Sequence, residues 1–348
     1  MLEGCRACSL IWSRCAPTSM AGTIALTGLR MKVVLAFDMG EDFVRDLRAS
    51  FPQITFAPAY TVEEQLREIP DAEVQFGQLS GEAFQKAGKL RWFQFIGAGF
   101  DYILRESPEL VESDVVMTNA PGTHAIAMAD HAFAMVLAFA HRVPELIDDQ
   151  RAHRWDIQKY RGRMMELPGT TMGIVAMGEI GKAIAQRAPG FGMDVYAVDV
   201  RQMDPPFGVR EVWEVARLDD LLAVSDWFVV TAPRTDATRG MIGRREIERL
   251  KPGAHVIALS RGGIIDEEAL VDGLRSGQVA GAALDVASKE PLPSDSPLWD
   301  MPNVLISPHV SADSSQIWKR RQQIFKENLR RYVAGQPLLN VCDKRAGF

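Results

Sequence analysis

The chain contains little cysteine: four residues in 348, of which Cys5, Cys8 and Cys15 lie in the first fifteen positions. None of the four falls where a core is predicted, so a disulfide framework is not expected, and a reducing, cytoplasmic location is predicted. Cys5 and Cys8 have a spacing that occurs in metal sites, but no second pair of ligands follows nearby. We therefore expect no bound metal.

The sequence also has no basic cluster and no long apolar run. Its net charge is −6, which argues against nucleic acid as the main partner. The longest apolar run, residues 132–140, is too short to span a bilayer, so no membrane partner is expected. With 47% hydrophobic and 24% charged residues over 348 positions, the composition is typical of a globular protein with two domains.

The first thirty residues differ from the rest of the chain. They carry Arg6, Arg14 and Arg30 but a single acid, Glu3. The apolar stretch is short and its helical pattern is poor, so a targeting peptide is not favoured. We expect a disordered extension over residues 1–30, with the first strand following Met31.

Short apolar strands alternate with amphipathic helices along the remainder, which predicts parallel sheets covered on both faces. In the first half, strands are predicted at 32–37, 54–57, 73–77, 91–96 and 115–118, with helices at 41–50 and 62–69. In the second half, strands are predicted at 171–176, 194–198, 227–231, 254–259, 280–284 and 303–306, with helices at 179–189, 218–224, 243–250 and 266–276. The predicted fold class is α/β, with two doubly wound parallel-sheet domains.

Three segments connect these two halves. A helix over 123–142 is apolar around most of its circumference, which predicts burial between domains or against a second subunit. His131 on this helix is interpreted as a packing residue. Residues 144–170 are predicted to form a polar crossing segment, and a last helix over 316–333 is predicted to return to the first domain.

Residues 171–186 read as a strand, a glycine-bearing turn and a helix, which is the arrangement that binds a dinucleotide pyrophosphate. Gly178, Glu179, Ile180 and Gly181 are the predicted cofactor contacts at the start of the helix. Ala176 occupies the position where the first glycine usually stands. Alanine fits there only with a negative φ, so the turn is expected to keep one.

Asp199 ends the next predicted strand, eighteen residues after Gly181. A carboxylate at this position can accept hydrogen bonds from both ribose hydroxyls of an adenosine, which favours NAD. Arg201 nearby could instead accommodate a 2′-phosphate, so NADP remains possible.

Polar side chains that suit reduction of a 2-oxo acid follow three later strands. Arg261 can bind a substrate carboxylate and polarise the adjacent carbonyl. His309 can give a proton to the carbonyl oxygen, and Glu290 beside it favours the protonated imidazole. Each residue alone also has a plain explanation, as a surface ion pair, a surface acid or a loop histidine. Their occurrence together favours the catalytic interpretation.

The loop of Gly97, Ala98 and Gly99 closes the fourth strand with two glycines. Its backbone N–H groups can hold a carboxylate, although an ordinary strand-to-helix turn explains the glycines equally well.

The chain resembles the D-isomer-specific 2-hydroxyacid dehydrogenases. The residues that carry the resemblance are the 171–186 segment, 231–238, 260–266, 284–286 with 289–291, and 307–310. The resemblance implies a flavodoxin-like substrate domain (31–122 and 312–348) with an inserted Rossmann NAD-binding domain (123–311). It implies a catalytic triad of Arg261, Glu290 and His309, substrate binding by residues 97–99, and a homodimer formed through the 123–142 helix. Further cofactor contacts would be Ala232, Pro233, Thr238, Leu259, Ser260 and Asp285.

Several points of function stay open at the level of the sequence. Glyoxylate or hydroxypyruvate is the leading substrate, and phenylpyruvate-like or branched acids follow because Phe93, Phe95 and Phe100 surround the glycine loop. Thr231 stands where the family often has histidine, which concerns cofactor affinity. A different class of function is a dinucleotide-sensing interaction protein, since transcriptional corepressors share this fold.

Overall fold

The computed structural model describes residues 31–345, so the predicted extension and Cys5, Cys8 and Cys15 lie outside the described residues. The first sheet has five parallel strands in the order β2-β1-β3-β4-β5, which is the flavodoxin-like order expected from the resemblance. Its strands are β1 (Lys32–Ala36), β2 (Thr55–Pro58), β3 (Val74–Gly77), β4 (Trp92–Phe95) and β5 (Val116–Thr118). Five helices accompany them: α1 (Glu41–Ser50), α2 (Val62–Glu68), α3 (Gly81–Lys86), α4 (Asp101–Glu106) and α5 (Glu109–Glu112).

Local chemistry accounts for the helices of this first layer. Helix α1 buries one face, formed by Phe43, Val44 and Leu47, and exposes its charged face. Helix α2 begins at a capping box, in which the Thr61 hydroxyl accepts the Glu64 N–H and the Glu64 carboxylate accepts the Thr61 N–H.

Two consecutive helices leave the first sheet, α6 (Ala125–Ala140) and α7 (Val143–Arg151). Helix α7 lies where a polar crossing segment was predicted. Arg142 has a φ of 53° and separates it from α6. Asp149 of α7 is buried and binds Arg154, Lys159 and Tyr160, so the following loop folds onto the helix. No single helix of the described residues is long and apolar enough to cross a membrane; α6 and α7 reach that length and composition only as a pair bent by 66°.

The second sheet has seven parallel strands in the order β12-β11-β10-β9-β6-β7-β8, a Rossmann arrangement with one added strand. Its strands are β6 (Thr171–Val175), β7 (Asp194–Asp199), β8 (Glu211–Glu214), β9 (Trp227–Val230), β10 (Ala254–Ala258), β11 (Val279–Leu284) and β12 (Val304–Ile306). Its helices are α8 (Glu179–Ala185), α9 (Leu218–Val224), α10 (Arg244–Arg249) and α11 (Glu267–Ser276). The prediction of two α/β parallel-sheet domains is confirmed.

Two details of the second sheet differ from the prediction. Strand β8 was not predicted, because it is a four-residue edge strand with glutamates at both ends and no buried residue. Helix α8 ends at Ala185 rather than 189, because a 3₁₀ turn over Ala188–Phe191 that contains Pro189 follows it.

The last helix, α12 (Ile317–Val333), packs against the first sheet as predicted. The Phe325 ring stacks on Phe76 with 4.1 Å between centroids, and the buried Asn328 amide donates to Gln94 Oε1 at 2.9 Å. The chain therefore crosses between the two sheets twice.

The aromatic side chains near the glycine loop belong to the core. Phe93, Phe95 and Phe100 are all buried, so they do not line an open cleft beside the loop. An aromatic 2-oxo acid as the substrate stays a prediction.

Candidate active site

The turn between β6 and α8 has the backbone features predicted for a phosphate site. No side chain caps α8, so among the described residues the N–H groups of Gly178, Glu179 and Ile180 have no hydrogen-bond acceptor. A Cβ at Gly178 would meet no atom within 4 Å, which leaves space for a ligand. A Cβ at Gly181 would lie 2.4 Å from the Ala176 carbonyl oxygen, so only glycine lets the helix approach its strand.

Ala176 adopts a positive φ of 73°, and the prediction of a negative φ was wrong. Hydrogen bonds on both sides hold it there: its N–H donates to the Val198 carbonyl at 2.8 Å, and its carbonyl accepts the Thr231 hydroxyl at 2.8 Å. The left-handed conformation costs an alanine about 1–2 kcal/mol. The turn therefore has the backbone conformation that a glycine would adopt, although the residue is alanine.

Asp199 at the end of β7 is buried, and its carboxylate accepts several hydrogen bonds. Its carboxylate accepts the Met177 N–H at 2.6 Å and the Arg201 N–H at 2.8 Å, and Arg201 Nε lies 3.1 Å away. Burial alone would raise the pKa of Asp199, but these hydrogen bonds outweigh it and hold the pKa below its usual value. A cavity of about 620 Å³ adjoins the pair and is also lined by Trp213 and Arg217.

The other predicted cofactor contacts lie beyond the same edge of the second sheet. Ala232 and Pro233 follow β9, and the Thr238 hydroxyl closes their loop by donating to the Pro233 carbonyl at 2.6 Å. Leu259 and Ser260 follow β10 and are buried. Their contacts with a cofactor stay a prediction.

Asp285, at the end of β11, organises the loop that carries the candidate acid. Its carboxylate accepts the Ser307 hydroxyl at 2.6 Å, the Val310 N–H at 2.9 Å and the Ser311 N–H at 3.0 Å. These three donors surround His309 in the chain, and His309 itself has a φ of 54°. The buried carboxylate therefore fixes the backbone on both sides of the histidine.

His309 and Glu290 form a direct pair. His309 Nδ1 lies 2.8 Å from Glu290 Oε2, and the other carboxylate oxygen accepts the Ala287 N–H at 3.1 Å. The imidazole is 41% and the carboxylate 39% exposed, so solvent and small molecules can reach them. Because Nδ1 is bound to the carboxylate, Nε2 is the nitrogen left for a substrate.

Arg261 follows β10 and reaches the glycine loop of the first sheet. A Cβ at Gly99 would lie 2.1 Å from an Arg261 guanidinium nitrogen, so a side chain there would displace the arginine. The carbonyls of Gly97 and Ala98 accept hydrogen bonds from residues 119–120, whereas the N–H groups of the loop find no acceptor among the described residues. The guanidinium and these N–H groups together suit a carboxylate.

A cavity of about 420 Å³ lies beside the histidine pair. Glu290 and His309 line it together with the apolar side chains of Leu292, Leu298 and Trp299. The wall on this side of the candidate acid is therefore mostly apolar.

Comparison with known proteins shows which family this chain belongs to. Residues 133–311 match the family model described as D-isomer specific 2-hydroxyacid dehydrogenase, NAD binding domain. A glyoxylate reductase from Korarchaeum cryptofilum is 36% identical over 269 residues, covering 76% of this chain and 80% of that protein. A D-3-phosphoglycerate dehydrogenase from Archaeoglobus fulgidus is 33% identical over 322 residues, covering 90% of this chain but 59% of its own length.

The chain belongs to the D-isomer-specific 2-hydroxyacid dehydrogenase family.

Solved structures of the family share its fold. A D-isomer specific 2-hydroxyacid dehydrogenase from Xanthobacter autotrophicus Py2, in complex with NADPH and MES, matches with a TM-score of 0.78 and 30% identity over 92% of this chain and 100% of that one. An NADPH-dependent glyoxylate/hydroxypyruvate reductase from Sinorhizobium meliloti matches with a TM-score of 0.78 and 27% identity over 91% of this chain and 100% of that one. These names do not favour the alternative of a dinucleotide-sensing interaction protein. The family model identifies an NAD(P)-binding domain, so the predicted class of cofactor is confirmed.

The sequence did not identify His131 as a neighbour of this site. His131 of α6 lies with Nε2 at 3.0 Å from the Ser307 hydroxyl, which in turn donates to Asp285. The histidine was interpreted as a packing residue because its neighbours on the helix are apolar. Only the long-range contact between α6 and the end of β12 connects it to the site.

Proposed function

We propose that this chain reduces a small 2-oxo acid to the D-2-hydroxy acid with NADH or NADPH and catalyses the reverse reaction. The observation that supports the proposal most is the pair of His309 and Glu290, 2.8 Å apart, at the sheet edge from which Arg261 reaches Gly99. A proton donor and an anion-binding group thus follow strands that lie on either side of β11 in the same sheet. Residues 31–122 and 312–348 would bind the substrate, and residues 123–311 the cofactor.

The substrate carboxylate binds Arg261 and the N–H groups of residues 97–99. A guanidinium paired with a carboxylate fixes its orientation, and the same positive charge polarises the adjacent carbonyl. The glyoxylate reductase name of one relative makes glyoxylate or hydroxypyruvate the first substrates to examine.

The carbonyl oxygen receives its proton from His309 Nε2. Glu290 holds the imidazole in one orientation through Nδ1, and it stabilises the positive charge of the protonated ring. In the oxidative direction the neutral imidazole takes the proton back. A positioned acid of this kind contributes typically ~10²–10⁴-fold in rate.

The cofactor is expected to lie along the second sheet edge, with its pyrophosphate at Gly178 and its adenosine ribose near Asp199. When bound, the nicotinamide supplies or accepts the hydride. NADH is the proposed preference, because the buried Asp199 carboxylate repels a 2′-phosphate; Arg201 beside it could pair with that phosphate, which keeps NADPH as the alternative.

The proposal is tested by following NADH and NADPH oxidation with glyoxylate, hydroxypyruvate, pyruvate, phenylpyruvate and 2-oxoisocaproate. Turnover with at least one acid is expected, with His309→Gln at least ~100-fold slower in kcat. The matched control is His141→Gln, an exposed histidine at the end of α6, which should keep full activity. No turnover with any 2-oxo acid, in a preparation that binds NADH, would contradict the proposed reaction.

We also propose that the protein is a homodimer. Exposed apolar side chains concentrate on α7 and the loop after it, at Val143, Leu146, Ile147, Trp155 and Ile157. Trp155 is 92% exposed. Helix α6, by contrast, buries much of its apolar surface within the chain, so α7 and its loop are the proposed core of the contact.

A further inference from the structure

His131 of α6 begins a chain of hydrogen bonds that ends at the loop of the candidate acid. Its Nε2 lies 3.0 Å from the Ser307 hydroxyl oxygen, and that hydroxyl donates to Asp285 Oδ1 at 2.6 Å. The histidine and the serine are 176 positions apart in the sequence, so only the fold brings them together. Asp285 is buried, so protein groups determine the orientation of its carboxylate.

The direction of this chain follows from the number of protons in it. The Ser307 hydroxyl has one proton, and at 2.6 Å from a carboxylate oxygen it donates that proton to the carboxylate. The Ser307 oxygen can then only accept a hydrogen bond from the imidazole. His131 Nε2 therefore carries a proton, and a donor at this position turns the hydroxyl toward Asp285.

The Asp285 carboxylate transmits this orientation to His309. The oxygen that accepts the Ser307 hydroxyl also accepts the Val310 N–H at 2.9 Å, and the other oxygen accepts the Ser311 N–H at 3.0 Å. His309 has a φ of 54°, which costs a non-glycine residue free energy, so its neighbours must hold it there. A hydroxyl that turned away would leave the carboxylate free to rotate, and the loop would lose its fixed geometry.

Helix α6 gives His131 a rigid support. The neighbouring Phe133 ring stacks on Phe191 with 5.0 Å between centroids, and the Asp130 carboxylate lies 2.7 Å from a guanidinium nitrogen of Arg187. Both partners belong to the segment that follows α8. A donor on a helix held in this way can impose an orientation on the loop that it contacts.

We propose that His131 is a positioning residue for the reduction. Its Nε2–H orients the Ser307 hydroxyl, which orients the Asp285 carboxylate, and the carboxylate keeps His309 in place to protonate the carbonyl oxygen. The inference rests on the proposed function. It adds a residue that acts through two others rather than on the substrate.

A simpler role would be packing alone, in which the imidazole of His131 only fills space beside Ser307. The two roles differ in which side chain can replace the histidine. Packing requires similar volume, so leucine would serve at least as well as glutamine. Orientation of the hydroxyl requires an N–H near the position of Nε2, which the amide of glutamine provides and leucine does not.

The experiment measures kcat, and the KM values for NADH and for the 2-oxo acid that is reduced fastest. His131→Leu should lower kcat ~10–100-fold with little change in either KM, because a small displacement of the acid affects the chemical step. His131→Gln should recover most of the loss. Ser307→Ala, which removes the hydroxyl, should be as slow as His131→Leu, and combining the two changes should give no further loss.

The matched control is His141→Leu at the end of the same helix, where the histidine is exposed. It should keep the kcat of the wild type, and melting curves should show that each variant is folded. An unchanged kcat in His131→Leu, a His131→Gln variant as slow as His131→Leu, or losses that multiply when His131→Leu and Ser307→Ala are combined would each overturn the inference while leaving the reductase in place.

Amide hydrogen exchange keeps the inference testable if no acid of the panel is reduced. The Val310 and Ser311 N–H groups bind Asp285 and should exchange slowly in the wild type. His131→Leu and Ser307→Ala should each speed this exchange ~10-fold, and His131→Gln should leave it near the wild-type rate. Unchanged exchange in either of the first two variants would contradict the inference, whereas faster exchange without turnover would count against the proposed reaction alone.

Discussion

At the scale of single residues, Ala176 carries a conformational cost that a glycine would not. Its φ of 73° is enforced by hydrogen bonds to Val198 and Thr231. Ala176→Gly should therefore raise the free energy of unfolding by about 1 kcal/mol, measured by urea denaturation. The control is Ala183→Gly within α8, which has no positive φ to relieve and should destabilise by about 1 kcal/mol or more. Destabilisation by both variants would show that the turn is not strained.

A second residue-scale prediction concerns His255, which stacks on Trp227 and is 8% exposed. Burial, and then the charge of Arg142, lowers its pKa from 6.5 to about 4. The unfolded chain therefore binds a proton at a pH where the folded chain does not. The associated stability is fully present above pH 6.5 and is lost as the pH falls toward 4, by about 3 kcal/mol.

The measurement is the urea midpoint between pH 7.5 and 4.5 for the wild type and His255→Leu. The variant should lose less stability on acidification than the wild type, whereas the exposed His141→Leu should follow the wild type. His124 titrates in the same window, so part of the slope remains in both variants.

At the scale of elements, the segment after β11 fixes the position of the segment after β12, because Asp285 accepts hydrogen bonds from residues on both sides of His309. Asp285→Asn would place an amide opposite the Val310 and Ser311 N–H groups and displace the loop. We expect kcat to fall by ~100-fold with little change in the KM for NADH. Asp295→Asn, an exposed change in a nearby loop, is the control. A rise in the NADH KM with kcat preserved would indicate that Asp285 acts mainly on the cofactor.

Apart from the end of α8, which was predicted four residues too late, the sequence predicted the bounds of the long buried elements to within one or two residues, because runs of branched apolar residues end at polar or glycine positions. Helix α7 and strand β8 were not predicted, because a short element whose residues are mostly charged or exposed shows no run of apolar residues. The candidate residues at strand ends were identified because ligands of parallel sheets bind beyond the carboxyl ends of the strands. The approach of Arg261 to Gly99 was not, because hydrophobic periodicity carries no information on distances across a cleft.

At the scale of the whole molecule, the exposed apolar surface of α7 and its loop predicts self-association. Light scattering should give twice the chain mass of 38.5 kDa. Replacing Trp155 and Ile157 by glutamate should shift the protein toward the monomer, because burying two carboxylates in the contact is costly. The matched control places glutamate at Phe207, which is 75% exposed on the second sheet's side of the chain. A wild type that is monomeric at micromolar concentration would contradict the dimer.

The return of α12 to the first sheet has a consequence for biosynthesis. A ribosome releases the strands of that sheet early, but Phe325 and Leu329, which complete its core, are translated after the entire second sheet. The nascent first half therefore presents Phe76 and Trp92 without their covering helix. The second sheet can close as soon as it emerges, whereas the first must wait until α12 has been translated. Of the two halves, the one translated first is the one whose apolar core stays uncovered longest.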